Sequence, residues 1–363
     1  MRYAPLALLL ACTPPVTSDD TSGTSSGQAG STTGTGSPTT SDASSTSSGS
    51  TSTGTTTDEA TTEAPMDGLR INHIQAMGTH NSYHVSPGPT VKGLDYTHRP
   101  LAEELDSGAR QFELDIHFKQ PGEAIDVYHL EQIDMGTTCP TLTECLQALR
   151  GWSDEHPAHH VLYVMIEVKT PYNAILVDDL LTTLEDQILA VWPRERVLAP
   201  DDVQRDEASL REGLASRGWP TIEATRGKAM FVLHDDGNWR AKFVEAGTAG
   251  RVLFPDAFGD LEAPFAAVHT LNDPTGDAAK IAEVVDAGHL VRTRADSDNV
   301  EPLAGDTSRG EAAVAGGATF ISTDYPPPMG EVDYVFEIPG GAPSRCNPRT
   351  APPDCTAAMI ETL

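Results

Sequence analysis

Several short segments of the sequence combine side chains that could bind a metal ion and move protons. The segment MGTHNSYHV, residues 77–85, places His80 beside Asn81 directly after an apolar run. Further along, Glu113 and Asp115 are two residues apart in a predicted strand, so their carboxylates share one face. Together with Glu167 and the amide oxygen of Asn81 they form an all-oxygen set, which suits Ca²⁺ or Mg²⁺ better than zinc.

A structural interpretation competes with this metal site. Glu113 or Glu167 could instead form an ordinary ion pair with Arg110 or Lys169, and for a single carboxylate that interpretation is the better one. Three buried carboxylates close together, however, would repel one another and raise their own pKa values without a cation. We therefore predict a divalent cation at this point.

Two histidines are placed beside the predicted ligands. His80 adjoins Asn81, and His129 follows the second predicted strand in the segment VYHL. An imidazole pair can act as acid and base near neutral pH. The other histidines of the folded part are expected to be structural or superficial, and His84 to be a bystander. Three neighbours are expected only to shape the turn: Thr79, Ser82 and Tyr83.

The elements that must position these residues alternate along the chain. Short apolar runs predict eight strands: residues 71–78, 109–118, 159–169, 228–236, 251–258, 266–273, 290–296 and 319–326. Helix-like stretches lie between several of them: residues 100–108, 142–156, 175–192, 278–288 and 308–317. Alternating strands and helices indicate parallel pairing. We predict a (β/α)8 TIM-type barrel that is irregular between the fifth and sixth strands, with an open doubly wound sheet as the alternative.

Polar residues collect at the ends of these predicted strands. The seventh strand carries Arg292 and Arg294, and the eighth ends in Asp324 and Tyr325. In such a barrel the catalytic groups lie at the C-terminal ends of the strands. The sequence therefore predicts one site at that end of the barrel.

The first 65 residues differ in composition from the rest. Residues 1–12 form a short basic and apolar segment that ends in LLAC, which is typical of a secretory signal. The ending resembles the lipobox of bacterial lipoproteins, in which Cys12 would carry the lipid anchor. Residues 13–65 are almost entirely Ser, Thr, Gly and Asp, so we predict a disordered linker. The folded domain is then 66–363.

Charge and cysteine usage limit the function further. The formal net charge of −29 argues against nucleic acid as a partner, because a binder needs a basic patch. Apart from Cys12, the chain has Cys139, Cys145, Cys346 and Cys355. Three disulfide connectivities are open, and short loops favour pairing each cysteine with its neighbour in sequence. A zinc site is the less favoured alternative, since neither pair has Cys-x-x-Cys spacing.

Read together, GTHNSYH, QFELDIH, VYHL, MIEVK, VRTRAD and STDYP resemble the calcium-dependent phosphatidylinositol-specific phospholipase C of bacteria, within the phospholipase C-like phosphodiesterase superfamily. The resemblance covers essentially the whole domain after the linker. It implies that Ca²⁺ is held by four ligands: Asn81, Glu113, Asp115 and Glu167. It implies that His80 and His129 are catalytic and that three residues contact substrate: Lys169, Arg294 and Tyr325.

The resemblance also implies a reaction. The inositol 2-hydroxyl would attack the neighbouring phosphorus, so the products would be diacylglycerol and a cyclic or linear inositol phosphate. His80 would donate to the phosphate oxygens, His129 would protonate the leaving oxygen, and Glu113 or Glu167 would take the hydroxyl proton. We expect a monomer that acts at a membrane surface as an exported bacterial lipoprotein. The alternatives are a glycerophosphodiester phosphodiesterase and a surface-tethered protein that binds inositol lipid without turnover.

Overall fold

The computed structural model describes residues 68–328, 332–340 and 343–361. The predicted signal segment and linker therefore lie outside the described residues. The strands are β1 Ile74–Thr79, β2 Gln111–His117, β3 Asp126–Val127, β4 Leu162–Val168, β5 Val197–Leu198, β6 Ala229–His234, β7 Leu253–Pro255, β8 Val268–Thr270, β9 Leu290–Arg294, β10 Phe320–Thr323 and β11 Ser344–Cys346.

The helices alternate with these strands over most of the chain. They are α1 Leu101–Asp106, α2 Leu142–Glu155, α3 Val177–Val191, α4 Pro200–Gln204, α5 Leu210–Arg217, α6 Ile222–Thr225, α7 Asn238–Phe243, α8 Ala278–Asp286, α9 Val300–Ala304, α10 Ser308–Gly316 and α11 Ala357–Ile360. Among the described residues, none of these helices has the length and apolar composition that a bilayer crossing requires.

Eight parallel strands form a ring in the order β1, β2, β4, β6, β7, β8, β9, β10 and back to β1. Between β7 and β8 the ring is joined by one isolated bridge, Asp256 with Val268. The residues between these two strands, all of them described, form turns and no helix. The predicted barrel and its irregular sector are thus confirmed, and each of the eight predicted strands overlaps one strand of the ring.

Side chains alternate along the strands between the helices and the barrel interior. On β2, Phe112 and Leu114 belong to the large core shared with the helices. Glu113 and Asp115 point the opposite way, into the barrel. A separate apolar layer fills the interior below them, formed mainly by six side chains: Tyr163, Met165, Met230, Val232, Phe254 and Phe320. The carboxylates therefore rest on a packed floor rather than over an open channel.

The two disulfides have the predicted pairing. Cys139–Cys145 joins the segment after β3 to the first turn of α2, and Cys346–Cys355 joins β11 to the chain before α11. Helix α2 begins with a capping box in which Thr141 accepts from the backbone of Glu144 and Glu144 accepts from that of Thr141. The first disulfide thus fixes the end of the segment that carries His129.

The N-terminal end of the barrel, opposite the predicted site, is closed by both ends of the described chain. Leu69, Ile74, Ile222 and Ile360 pack there in one cluster, and the short strand β11 pairs antiparallel with β1. Arg110 at the start of β2 forms a buried ion pair with Glu361. The alternative pairing of Arg110 with a predicted metal ligand is therefore wrong, because Arg110 lies at the other end of the barrel.

Candidate functional site

The residues at the C-terminal strand ends form one continuous polar layer. In the register of the sheet, Asp115 on β2 is level with Glu167 on β4, and Glu167 is level with His234 on β6. Across the closed ring, β10 lies beside β1 and brings Asp324 next to His80. Parallel pairing thus gathers at one barrel mouth residues that are more than 200 positions apart in sequence.

Three carboxylates of this layer converge. Glu113, Asp115 and Glu167 each offer an oxygen, and these oxygens all lie within 4.8 Å of one another. Glu113 and Asp115 are buried, whereas the Glu167 side chain is 29% exposed. Lys169 Nζ lies 2.5 Å from Glu167 Oε1 and 3.1 Å from Asp115 Oδ2.

The environment of Asp115 fits a cation. Asp115 is fully buried, and its polar neighbours include the Lys169 ammonium, 3.1 Å from Oδ2, and the Tyr83 hydroxyl. Burial, followed by the nearby charge of Glu167, raises its pKa well above the usual value despite Lys169. A buried carboxylate beside a second acid is costly unless positive charge compensates both. Oxygen donors in this number are the ligand type that Ca²⁺ takes.

Glu113 has a different partner from its two neighbours. Its carboxylate forms a buried ion pair with the Arg292 guanidinium of β9, which also donates to Asn272 Oδ1 at 2.6 Å. Burial by itself would raise the pKa of Glu113, but Arg292 and His80 bring it down to about 2. Glu113 is therefore ionised at neutral pH. Sequence reasoning placed Arg292 at the mouth but did not assign it this contact.

The turn after β1 holds Asn81 against β2. Asn81 has a φ of 46°, in the left-handed region that asparagine tolerates better than most residues. Ser82 accepts a hydrogen bond from the Glu113 backbone N–H at 2.9 Å and donates its own backbone N–H to the Glu113 carbonyl at 3.0 Å. Thr79 donates to Ser82 Oγ at 2.7 Å. Thr79 and Ser82 thus shape the turn, as predicted, whereas the Tyr83 hydroxyl lies against Asp115.

His80 is held between an acid and a guanidinium. Its Nδ1 lies 2.7 Å from Asp324 Oδ1, and its Nε2 lies 3.4 Å from Arg294 Nη1. Arg294 also donates to Asp324 Oδ2 at 2.9 Å. Because a carboxylate accepts and a guanidinium donates, the proton of the neutral ring sits on Nδ1 and Nε2 carries a lone pair. Burial and Arg294 together lower the pKa of His80, against the opposing charge of Asp324.

His129 is positioned by a carboxylate that it shares with a second histidine. Its Nδ1 lies 2.8 Å from Asp134 Oδ2, and His84 Nε2 lies 2.9 Å from the same oxygen. Asp134 and His84 are fully buried, whereas the His129 side chain is 18% exposed. The expectation that His84 is a bystander is therefore wrong: it is part of the support of His129. Its sequence neighbours gave no sign of this, because Asp134 is 50 residues away.

A further histidine at the mouth was missed by sequence reasoning. His234 ends β6 beside Glu167, and its Nδ1 lies 2.8 Å from Asp256 Oδ2 at the end of β7. Burial lowers its pKa, but the hydrogen bond and charge of Asp256 outweigh this and raise it above the usual value. The strand-end rule that found Glu167 would also have found His234, which lies in the segment FVLHDD.

The three predicted substrate contacts lie in different parts of the mouth. Lys169 contacts the carboxylates, and Arg294 contacts His80 and Asp324. Tyr325 is 3% exposed, with its hydroxyl donating to Asn299 Oδ1 at 2.9 Å. Its ring centroid lies 6.4 Å from that of Tyr96, whose hydroxyl lies 3.4 Å from His80 Nδ1. Tyr325 thus forms the wall behind the His80 side of the mouth.

Comparison with known protein families identifies the family of this chain. The family described as "Phosphoinositide phospholipase C, Ca2+-dependent" matches residues 69–124 and 117–348, which is most of the described chain. The chain belongs to this family. Its members are phosphoric diester hydrolases that act on phosphatidylinositol and depend on calcium, so the predicted family, enzyme class and cofactor are confirmed.

Solved structures agree on the fold. A calcium-dependent phosphoinositol-specific phospholipase C from Pseudomonas sp., in a myo-inositol complex, has a TM-score of 0.58 and 16% identity, covering 77% of this chain and 96% of the other. A calcium-dependent phosphatidylinositol-specific phospholipase C from Streptomyces antibioticus has a TM-score of 0.53 and 19% identity, covering 71% and 95%. No curated protein sequence matches this chain. At these identities the likeness establishes the fold.

Proposed function

We propose that this protein cleaves phosphatidylinositol to diacylglycerol and an inositol phosphate, with the inositol 2-hydroxyl as the nucleophile. The observation that carries the proposal is the convergence of three carboxylates and two supported histidines, His80 and His129, at one barrel mouth. Because the nucleophile belongs to the substrate, the mouth needs only acid, base and cationic groups. The hydroxyl and the phosphorus belong to one molecule, and their proximity supplies much of the rate acceleration.

The calcium ligands would be Asn81, Glu113, Asp115 and Glu167. Calcium held by these residues would lower the pKa of the attacking hydroxyl and stabilise negative charge on the phosphate. Arg292 holds Glu113 ionised and in place. Lys169, which shares the carboxylates, would contact the phosphate of the substrate.

The hydrogen bonds of the histidines favour distinct roles. With its proton on Nδ1 held by Asp324, His80 presents the Nε2 lone pair and is suited to accept the 2-hydroxyl proton. We therefore assign the base to His80 rather than to Glu113 or Glu167, and the phosphate donor to Arg294, which lies 3.4 Å from His80 Nε2. His129, with Nδ1 held by Asp134, would use its protonated Nε2 to protonate the leaving glycerol oxygen.

Phosphorus NMR of the products tests this function. Phosphatidylinositol in detergent micelles should give a cyclic inositol phosphate signal when calcium is present and none with a chelator. His129→Ala should slow the reaction by about 10²–10⁴-fold, the usual contribution of a general acid. Equal rates with chelator and with calcium would refute the calcium role, and full activity of the variant would refute the acid assignment.

The same experiment separates the two alternatives. A glycerophosphodiester phosphodiesterase would prefer water-soluble glycerophosphoinositol and release glycerol phosphate or inositol phosphate without a cyclic signal. A binding protein would take up calcium and inositol lipid and release no product. Among the described residues, no contact at the mouth favours either of them over the phospholipase reaction.

We further propose that the enzyme is an exported monomer held at the cell envelope through a lipid on Cys12 and a flexible 13–65 linker. The two disulfides support export, because disulfides form and persist in oxidising compartments. Incorporation of labelled fatty acid into the wild-type chain, and its loss in Cys12→Ala, would test the anchor. Labelling that persists in the variant would refute it.

A further inference from the structure

A buried ion pair adjoins the turn that carries His80 and Asn81. His98 Nδ1 lies 3.0 Å from Glu104 Oε1, and the two side chains are 0% and 1% exposed. Glu104 belongs to α1, and His98 to the segment just before it. A buried ion pair often contributes little to stability, because both charges lose their hydration. The contacts that this pair makes with the turn therefore matter more than the pair itself.

The pair contacts two successive residues at the end of β1. His98 Nε2 donates to the His80 carbonyl oxygen at 2.8 Å, and Glu104 Oε2 lies 2.7 Å from Thr79 Oγ1. Pairing of β1 with β10 ends at Thr79. Among the described residues, no backbone N–H donates to the His80 carbonyl. The imidazole of His98 therefore supplies the hydrogen bond that a neighbouring strand would otherwise give.

The direction of this carbonyl sets the peptide plane between His80 and Asn81. Asn81 has a φ of 46°, in the left-handed region, which is open mainly to glycine and asparagine. Rotation of that one peptide plane would return φ to negative values, and it would turn the His80 carbonyl away from His98. The hydrogen bond from His98 therefore opposes the rotation. A rotation would also displace the His80 ring, whose Nδ1 lies 2.7 Å from Asp324 Oδ1.

Two further contacts fix His98 beside the turn. Its backbone N–H donates to the His84 carbonyl at 2.9 Å. Its ring packs edge-on against Tyr96, with centroids 5.3 Å apart, and the Tyr96 hydroxyl lies 3.4 Å from His80 Nδ1. The segment from Tyr96 to His98 thus contacts both the backbone and the ring of His80.

Glu104 keeps the imidazole of His98 in the form that can donate. A carbonyl oxygen only accepts, so Nε2 of His98 must carry a proton. Burial by itself would lower the pKa of His98, but the adjoining Glu104 carboxylate raises it above the usual value. The anion therefore holds a proton on the ring, and His98 donates to the His80 carbonyl at neutral pH.

We infer that His98 is a positioning residue: by holding the His80 carbonyl it keeps the His80 ring against Asp324 and Arg294. This role rests on the proposed function, in which His80 accepts the proton of the attacking hydroxyl. The alternative is that the ion pair only supports the fold of the turn. The two roles differ in one respect, because a positioning residue changes the reaction only when His80 is present.

A double-mutant cycle with His80 tests the role, because His98→Leu removes the donor and fills the site with an apolar side chain. On phosphatidylinositol micelles at saturating calcium, His98→Leu should lower kcat by about 10²-fold and leave KM unchanged, since a displacement of about 1 Å costs that much. In His80→Ala the same substitution should have no further effect. His98→Gln, which can still donate to a carbonyl, should restore kcat by at least about tenfold.

Two further variants separate positioning from loss of folding. Because His98→Leu leaves Glu104 buried without a cation, it is also measured together with Glu104→Gln, which removes that charge. His159→Leu is the matched control: His159 is 1% exposed and donates to the His160 carbonyl, but it precedes β4, at the end of the barrel away from the mouth. It should lower the melting temperature and keep the wild-type kcat.

Nitrogen-15 NMR of histidine-labelled, calcium-free protein gives a readout that needs no turnover. His80 should carry its proton on Nδ1 alone in the wild type and in His159→Leu, and should populate both neutral forms in His98→Leu. An unchanged His80 spectrum in His98→Leu would overturn the inference, and so would an equal loss of kcat in the wild-type and His80→Ala backgrounds. If the wild type cleaves no inositol diester, the proposed function fails, and the His80 spectra alone then decide the role of His98.

Discussion

Replacing Lys169 by methionine would test the proposed role of the three carboxylates in cation binding through stability rather than activity. In the structure, the Lys169 ammonium lies 3.1 Å from the buried carboxylate of Asp115 and 2.5 Å from that of Glu167. Its charge opposes the effect of burial and of Glu167 on the pKa of Asp115. Lys169→Met keeps most of the aliphatic length of the side chain and removes the charge. In the absence of calcium, Asp115 then loses its compensating charge.

The size of the effect follows from burial. Removing one partner of a buried ion pair costs about 3–5 kcal/mol, because the other charge stays buried. Most of this comes from Asp115, since Glu167 is 29% exposed and partly screened by water. A domain of this size loses roughly 2–3 °C of melting temperature per kcal/mol, which gives a loss of about 6–15 °C. This loss applies to protein that has been stripped of calcium.

Calcium should reverse much of this loss. A ligand at 100 times its dissociation constant stabilises the folded state by about 2.7 kcal/mol. In the variant, the ion also replaces the missing ammonium charge, so its stabilising effect should be larger than in the wild type. The difference in melting temperature between the two proteins should therefore shrink to less than half when calcium is added.

Thermal unfolding of both proteins, in chelator and in a calcium titration, measures these quantities. Lys119→Met is the matched control, because Lys119 pairs with Asp126 at 2.7 Å but its side chain is 48% exposed. We expect no measurable change in its melting temperature under either condition. If Lys169→Met lost the same amount with and without calcium, the lysine and the ion would not share these carboxylates, and the assigned ligand set would be wrong.

Three further predictions concern the supports of the site and the fold. Asp134→Asn should lower kcat by about 10²–10⁴-fold in the wild type and have no added effect in His129→Ala, as a double-mutant cycle would measure. Gly78→Ala should destabilise the protein by at least about 1–3 kcal/mol, because the new Cβ would lie 2.5 Å from Gln111 Cβ. Gly151→Ala, where nothing lies within 4 Å, should instead stabilise by about 0.5–1 kcal/mol in denaturant unfolding. Burial lowers the pKa of His160 to about 4, so folding leaves it neutral while the unfolded chain binds a proton below about pH 6.5. The free energy of unfolding should therefore fall by about 3 kcal/mol between pH 6.5 and 4 on account of this residue, and His160→Gln should flatten that slope.

The convergence of the three carboxylates could be predicted because they follow a local rule. Glu113, Asp115 and Glu167 end apolar strands, and the two-residue period fixes the face to which they point. Asp324 was also found as a strand end, but its contact with His80 depends on ring closure between β10 and β1. Closure is a property of the whole sheet, and no pattern within either segment encodes it.

The strands that escaped prediction are short, and the contact that escaped it joins residues far apart in sequence. Strands β3, β5 and β11 have two or three residues, too few for a periodic pattern. The assignment of His84 failed for another reason: a histidine in a polar turn looks the same whether it faces solvent or a buried acid. Only the fold brings Asp134 within 2.9 Å of it.

The closing of the N-terminal end of the barrel by both ends of the described chain has a practical consequence. Leu69 and Ile360 meet in one apolar cluster at that end, so a tag joined after the last helix would lie on the side away from the mouth. A protein captured on a sensor chip through such a C-terminal tag would present its mouth to the flowing solution. Calcium and vesicles could then be tested on the same oriented sample, without the attachment itself covering the surface under study.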